Sequence, residues 1–409
     1  MKVLLIHNFY RSSSPSGEDV VYRNEVALLR SKEVAIMQYE RHNDRISGTL
    51  NRAKTVFDSV WSKETYQEVS ELIAKEKPDI AHFHNIWYLI SPSAYYACKD
   101  AGVPVVQTLH NFRTFCANGL LMRGGEVCEE CVGKMPWRSV AYGCYRNSRL
   151  YSVPVAITEA FHKMRRTWTD KIDAYIALTE FGKQKFVQCG LPEEKIFVKP
   201  NFLANPPSVV TSSQRYAVFI GRLSQEKGLN VLFDALRILS SSHPRIFLSF
   251  SLKIVGDGPL RQQIMGRCAD QKMGKLDNAK MGKIELVGRK SHDECMELLS
   301  NASFLIMPSL CYENFPMTIR EAFACGKPVI ASNLGAMASI IKDRETGLLF
   351  QPGNPEDLAS KIAWMLGNKD ACIQMGRNAK SEFESKYTAD RNFDMLMDIY
   401  RKAITLSKN

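Results

Sequence analysis

No apolar run in the 409-residue chain approaches the ~18–20 residues that a membrane-spanning helix needs. Low-complexity tracts and repeats of solenoid period are also missing, which excludes stacked-repeat architectures. No complete G-x-G-x-x-G follows the first apolar stretch. "GDG" at 256–258 is a fragment of that fingerprint, so nicotinamide redox chemistry is not expected. The opening MKVLLIHNFYR has too short an apolar run for a secretory signal and reads as a first buried strand, so secretion is not expected. The eleven cysteines are odd in number, which suits a reduced, cytoplasmic chain better than a disulfide framework.

What is present has the composition of a soluble globular protein, with 45% hydrophobic and 24% charged residues. The length exceeds one ordinary core and implies two domains. Short β-rich runs recur: VLLIH (3–7), DIAHF (79–83), PVVQTL (104–109) and AYIAL (174–178). Amphipathic stretches such as 21–31 and 66–77 lie between them. This alternation argues for a parallel sheet covered on both faces. It pauses at PNFLANPPSVVTSSQ, 200–214, which reads as a linker. It restarts with YAVFIGR, SLKIVG, IELVG, FLIMPS and PVIAS. Two doubly wound halves across a cleft are expected, with the motifs just after strand ends.

One motif is CYENFPMTIREAFACGKPVI, 311–330, with Glu313 and Glu321 eight positions apart. Pro316 suits the first turn of a helix, Gly326 the position past its end, and Pro328 prevents continuation. A helix over about 316–325 is therefore expected, with Glu313 in the loop before it and Glu321 on its second turn. A helix N-terminus attracts anions, whereas carboxylates accept hydrogen bonds from sugar hydroxyls. Sugar, phosphate and second sugar together suggest a nucleotide sugar. The bland alternative is a surface helix with unrelated acids. A second motif, GRLSQEKGL (221–229), brings Arg222 and Lys227 to a strand end. Two cations on a diphosphate would stabilise it as a leaving group, each by something on the order of 3 kcal/mol.

GRLSQEKG, VGDGPL (255–260), VGR (287–289), the 307–332 segment and ETGLLFQPGNPEDLA (345–359) together resemble the donor half of retaining glycosyltransferases of family 4. The resemblance spans about 140 residues in order and spacing. It is looser in the first half, through MKVLLIH, DIAHFHN and VVQTLHN. It implies the GT-B fold, two doubly wound Rossmann-like parallel-sheet domains facing a cleft. The implied division is 1–204 for the acceptor side, with a cysteine-rich loop at 112–148, then 205–387 for the donor side. A last helix within 388–409 would cross back to the first domain.

By this resemblance Glu313 would hold hydroxyls of the donor sugar and Glu321 those of the ribose. Arg222 and Lys227 would bind the diphosphate. Asn314, Phe315, Pro316 and Met317 would add backbone donors at the helix start, and Val287 and Gly288 would lie by the base. Gly17 would approach the diphosphate, and His110 would sit near the donor sugar and the acceptor. Where the family usually carries Gly-Phe-Gly after the first acid, this chain has Asn-Phe-Pro. The donor implied is a UDP-sugar ahead of a GDP-sugar. The acceptor implied is a saccharide or a polyprenyl-linked saccharide in surface polysaccharide biosynthesis. The absence of Asp-x-Asp argues against a metal-dependent transferase of the other common fold, so no catalytic metal is expected.

His82 and His84 alternate at a strand end and are expected on opposite faces, one toward the cleft and one in the core. Cys116, Cys128, Cys131 and Cys144 form C-x11-C-x2-C-x12-C, close to a structural zinc pattern. Four thiols without metal, or a redox pair, are the alternatives. Residues 131–171 carry eight Lys/Arg against two acids. With the apolar and aromatic residues of 149–168 they suit an anionic membrane surface, or simply an amphipathic helix of the first domain. The expected location is cytoplasmic, with a peripheral position at the inner face of the membrane. Two other readings stay open: a nucleotide-sugar epimerase of the same fold, and a nucleic-acid-binding protein using the cysteines and the basic patch. The acid pair with the Arg–Lys turn weighs against the first, and two complete α/β halves weigh against the second. No nucleic-acid partner is expected.

Overall fold

The structure, a computed structural model, describes residues 1–13, 16–207, 216–273 and 283–408, without the side chains of 49–53 and 269–273. The stretch expected as a linker is described only as far as residue 207. The chain forms two compact units. One is Met1–Leu121 with Cys128–Ala204 and Ala389–Asn409, and the other is Asn205–Thr388 with Met122–Val127.

The first unit is built on strands β1 (Lys2–Phe9), β2 (Ala35–His42), β3 (Ile80–Phe83) and β4 (Val105–Thr108). After a short hairpin of β5 (Met122–Arg123) and β6 (Glu126–Val127) come β7 (Ala174–Ala177) and β8 (Ile196–Val198). The sheet order is β2-β1-β3-β4-β7-β8, all parallel. The second unit has β9 (Ala217–Ile220), β10 (Ser251–Val255), β11 (Lys283–Gly288), β12 (Phe304–Met307), β13 (Val329–Ser332) and β14 (Gly347–Phe350). Its order is β11-β10-β9-β12-β13-β14, again parallel. Val3, Leu4, Leu5 and Ile6 are all buried, as both faces of a helix-covered parallel strand must be. Apart from the short β5–β6 hairpin, the strands that the sequence did not announce are β2, β8 and β14. All three lie at sheet edges. An edge strand pairs on one side only, so AIMQYERH can mix polar and apolar residues.

The helix Leu229–Ser242 buries Leu232, Leu236 and Leu239, a helical spacing, against Leu358 and Ile362 of the helix Pro355–Gly367 and the strands β9 and β10. The last helix, Ala389–Leu406, belongs to the first unit. Its Leu396, Ile399, Tyr400 and Ala403 lie one helical face apart and pack on Val3, Leu5, Val106 and Ile176. Each large side chain buried there contributes about 2 kcal/mol. No helix among the described residues is long and apolar enough to cross a membrane.

Both sheets reverse direction of growth once, between β1 and β3 in the first and between β9 and β12 in the second. Two loops diverge beyond the strand ends at such a point, which leaves a crevice for a ligand.

Candidate functional site

In the second unit the two divergent loops carry the two sequence motifs. β9 and β12 are neighbours, with Phe304 opposite Ala217 and Leu305 opposite Val218. The loop after β9 holds Arg222, which is exposed, and Lys227, which is half-buried. The loop after β12 holds Ser309 and Glu313. Lys227 Nζ donates to Glu313 Oε1 at 2.6 Å, and Ser309 Oγ donates to the same oxygen at 2.8 Å. Burial opposes the Lys227 ammonium, but the Glu313 carboxylate outweighs it and holds the lysine above its ordinary pKa. The main-chain N–H of Leu310 also donates to the carbonyl of Glu226 at 2.8 Å. Gly228 makes this approach possible: a Cβ there would lie 1.8 Å from the Pro308 carbonyl oxygen, at a φ of +68°.

The helix runs Met317–Ala324, one residue shorter at each end than expected, and Pro316 is its N-cap with extended φ and ψ. Pro316 has no N–H, so the donor assigned to that position does not exist. Asn314 and Phe315 are buried, Met317 is half-buried, and Gly326 follows the helix at φ +65°. Glu321 lies on the buried face, 7% exposed. Arg320 Nη2 lies 3.3 Å from Glu321 Oε1, and His292 Nδ1 lies 3.9 Å away. Burial pushes the Arg320 guanidinium below its ordinary value, against the pull of Glu321. Sequence reading missed Ser309, Arg320 and His292. Ser309 sits in the MPS that ends β12, and its polar side chain after a buried strand was the available signal.

Val287 and Gly288 end the edge strand β11. Gly288 is left-handed at φ +83°, and its carbonyl accepts from the Gly256 N–H at 2.9 Å. The helix His292–Asn301 follows and brings His292 toward Glu321. The glycines of "GDG" serve close packing: a Cβ on Gly256 would lie 1.9 Å from the Gly221 carbonyl oxygen. They hold the Arg222 loop in place rather than cradling a dinucleotide.

In the first unit a pocket opens at the strand ends, lined among others by Glu18, His84, Trp87, His110, Asn111 and Arg113. Gly17 starts the helix Gly17–Ser31, is exposed, and has open space at its Cβ position. Ser16 and Asp19 form a capping box there. Asn111 Nδ2 donates to Glu18 Oε1 at 2.6 Å. His110 follows β4, and its Nε2 lies 2.9 Å from His84 Nδ1. Burial first, then the neighbouring His84 and His7, hold His110 well below its ordinary pKa, so it is neutral at neutral pH.

His82 and His84 do not point to opposite faces. Residues two apart along an extended strand share a face, so the expected split was mistaken: His82 on β3 and His84 just past its end at Phe83 turn to the same side. Both rings reach one oxygen: His82 Nδ1 is 3.0 Å and His84 Nε2 3.1 Å from Glu25 Oε1. This is the one group of three metal-type ligands found close together among the described residues. The Lys199 ammonium already sits 2.9 Å from the other Glu25 oxygen, so the carboxylate's charge is neutralised and a dication would meet a cation. The set fits an ion pair better than a metal.

The four cysteines are half-buried and not joined in disulfides. Burial, and then the thiols of Cys116, Cys144 and Cys128 with the Glu159 carboxyl, push Cys131 up to about 12. Burial raises Cys116 to about 11. The four therefore gather around Cys131. Among the described residues no three of their sulfurs lie within 4.8 Å of one another, which is wider than ligands on a shared ion.

Two units, each a parallel six-stranded sheet with polar residues at a strand-order reversal, have the build of the GT-B fold. The comparisons agree. Residues 38–203 match the model described as Glycosyltransferase Family 4, and residues 205–382 match that of Glycosyl transferases group 1. An uncharacterized glycosyltransferase, MJ1178, of Methanocaldococcus jannaschii is 33% identical over 352 residues, covering 85% of this chain and 90% of its own. The amylovoran biosynthesis glycosyltransferase AmsK of Erwinia amylovora is 25% identical over 252 residues, 60% of this chain and 57% of its own. The Anabaena protein Alr3699/HepE, solved in complex with UDP, superposes with a TM-score of 0.63 at 16% identity over 97% of this chain and 99% of its own. The chain belongs to the family 4, group 1 glycosyltransferases.

Proposed function

We propose that the chain is a retaining glycosyltransferase that moves a sugar from a nucleoside diphosphate sugar to a saccharide or lipid-linked saccharide acceptor. The observation that carries this is the Lys227–Glu313 contact at the β9/β12 reversal. A carboxylate suited to sugar hydroxyls and an ammonium suited to a diphosphate stand 2.6 Å apart. The scissile bond of a nucleotide sugar joins those two chemical groups. In the transfer, the bond from the anomeric carbon to the diphosphate oxygen breaks, and a bond from the acceptor oxygen to that carbon forms. The acceptor's proton ends on the departing diphosphate. Arg222 and Lys227 would stabilise the charge that develops there. Glu313 would orient the sugar, Glu321 the ribose, and Val287 and Gly288 the base. His110 would meet the sugar and Gly17 the diphosphate, as the family resemblance implies.

UDP is placed ahead of GDP, supported by the UDP bound to the Anabaena protein. A polysaccharide or its precursor is the acceptor class, supported by the part of the Erwinia relative in amylovoran biosynthesis. The test is thermal stability with UDP, GDP, ADP and NAD, each in excess. A ligand that binds only the folded state raises the melting point, by about 2.7 kcal/mol of stability at a hundredfold excess over Kd. A shift with UDP or GDP is expected, and no shift with either would overturn the donor assignment.

Two further features belong to this reading. A structural zinc would draw Cys116, Cys128, Cys131 and Cys144 together and rigidify the loop. The helix Arg149–Met164 buries Val155, Ala156 and Ala160 but leaves Leu150, Tyr151, Val153 and Ile157 exposed. Beside Arg146, Arg149, Lys163, Arg165 and Arg166 these residues would suit an anionic membrane surface.

A further inference from the structure

The buried polar groups behind His110 form a directional chain. Glu25, on the helix Gly17–Ser31, is 1% exposed, and its carboxylate accepts from Lys199 Nζ at 2.9 Å. Burial disfavours the ionised form, but Lys199, His82 and His84 overcome it and hold Glu25 well below the usual carboxylate range. An ionised carboxylate can only accept hydrogen bonds. The ring nitrogen hydrogen-bonded to it, His84 Nε2 at 3.1 Å, therefore carries a proton. Burial pushes His84 down to about 4, so this ring is neutral at neutral pH. A neutral imidazole with Nε2–H has a bare Nδ1. That nitrogen must accept, and the atom 2.9 Å from it is His110 Nε2. His110 is neutral too, so a proton on its Nε2 leaves its Nδ1 bare.

We propose that Glu25 and His84 are positioning residues that hold His110 in its Nε2–H tautomer, presenting Nδ1 as an acceptor to a hydroxyl of the bound sugar. The assignment of His110 to the sugar rests on the function proposed above; the tautomer does not. Glu25 stands to His84, and His84 to His110, as an orienting carboxylate stands to a catalytic imidazole. The chain is anchored from the C-terminus. Asn392 Oδ1 accepts from Lys199 at 3.0 Å, and the Tyr400 hydroxyl lies 2.8 Å from His82 Nδ1. Thr108 Oγ1 lies 2.8 Å from His82 Nε2 and fixes that ring from the other side. The helix Ala389–Leu406 thus sets the protonation pattern of a residue nearly 300 positions earlier.

The experiment uses the full chain with 15N-labelled histidine, in wild type and in His84→Phe, with His110→Gln to assign the His110 signals. Phenylalanine keeps the ring volume, and Glu25 retains His82 and Lys199, so no buried charge is stranded. Long-range 1H–15N spectra at neutral pH should show His110 as the Nε2–H tautomer in the wild type. In His84→Phe the tautomers should mix, and kcat for sugar transfer should fall by about 100-fold. The Kd for UDP should stay within about twofold. A wild type with the proton on Nδ1 overturns the proposal, and this result needs no variant to fold. An unchanged tautomer in His84→Phe overturns it as well. A changed tautomer with unchanged kcat overturns the positioning role. A wild type with the expected tautomer that transfers no sugar from any nucleotide sugar overturns the transferase reading, while supporting the hydrogen-bond assignment.

Discussion

Glu159 is the most exposing test of the first unit's electrostatics. It lies on the helix Arg149–Met164, is 3% exposed, and neither of its carboxyl oxygens has a hydrogen-bond partner. Burial raises its pKa from an ordinary 4.5 to about 8, and the Arg113 guanidinium offsets only part of that. Below pH 4.5 the carboxyl is protonated in both folded and unfolded chains and adds no pH dependence. Between 4.5 and about 8 the unfolded chain ionises while the folded chain does not, so stability falls as pH rises. Above that the penalty is constant. At about 1.4 kcal/mol per pH unit, the penalty reaches about 3 kcal/mol at neutral pH. Glu159→Gln keeps the volume and the poverty of hydrogen bonds but cannot ionise. The variant should match the wild type near pH 4.5 and exceed it by about 3 kcal/mol at neutral pH, or roughly 6–12 °C in the melting of a unit of this size. The assay is the difference between the two stability curves across that range, in which all other titrations cancel. Parallel curves would refute the argument, since they would mean that Glu159 titrates alike in the folded and unfolded chain.

Other outcomes follow from the same geometry. Gly228→Ala puts a methyl 1.8 Å from the Pro308 carbonyl oxygen at a positive φ, so it should cost about 3 kcal/mol or more on denaturation; a loss under about 1 kcal/mol would disprove the need for that close approach. Glu321→Gln leaves an acceptor for the buried Arg320 but removes the charge, and UDP affinity measured by calorimetry should fall about tenfold; an unchanged Kd would remove Glu321 from the ribose. Metal analysis of the purified chain should return about one zinc, bound more tightly as pH rises because the raised thiols of Cys116 and Cys131 must lose protons; a folded, metal-free chain would end the zinc proposal. Leu150→Glu with Ile157→Glu should abolish co-sedimentation with anionic vesicles, and equal binding by variant and wild type would relocate the docking face.

Much of the fold was written locally. Buried parallel strands such as Val3–Ile6 and Phe304–Met307 announce themselves because both faces must be apolar. Gly326 and Pro328 stop a helix by their own backbone limits. Three of the four edge strands escaped, because a strand open on one side needs no apolar run, as AIMQYERH illustrates; the edge strand β11 was legible through its run IELVG. The helix that carries Glu321 was legible for the same local reasons, though Pro316 proved to be its cap rather than its first residue.

What the sequence alone determined was the type of each motif: a basic turn after one strand, an acid on each side of a helix start after another, four cysteines in a glycine-rich loop. What the tertiary structure decided was which of them meet. Lys227 and Glu313 are 86 positions apart and pair because β12 adds beside β9 at the reversal of the sheet. Glu25, His84, Lys199 and Tyr400 come from four separate segments and share one buried network. No local pattern encodes such a network, because a buried carboxylate is tolerable only once every partner that neutralises it has arrived.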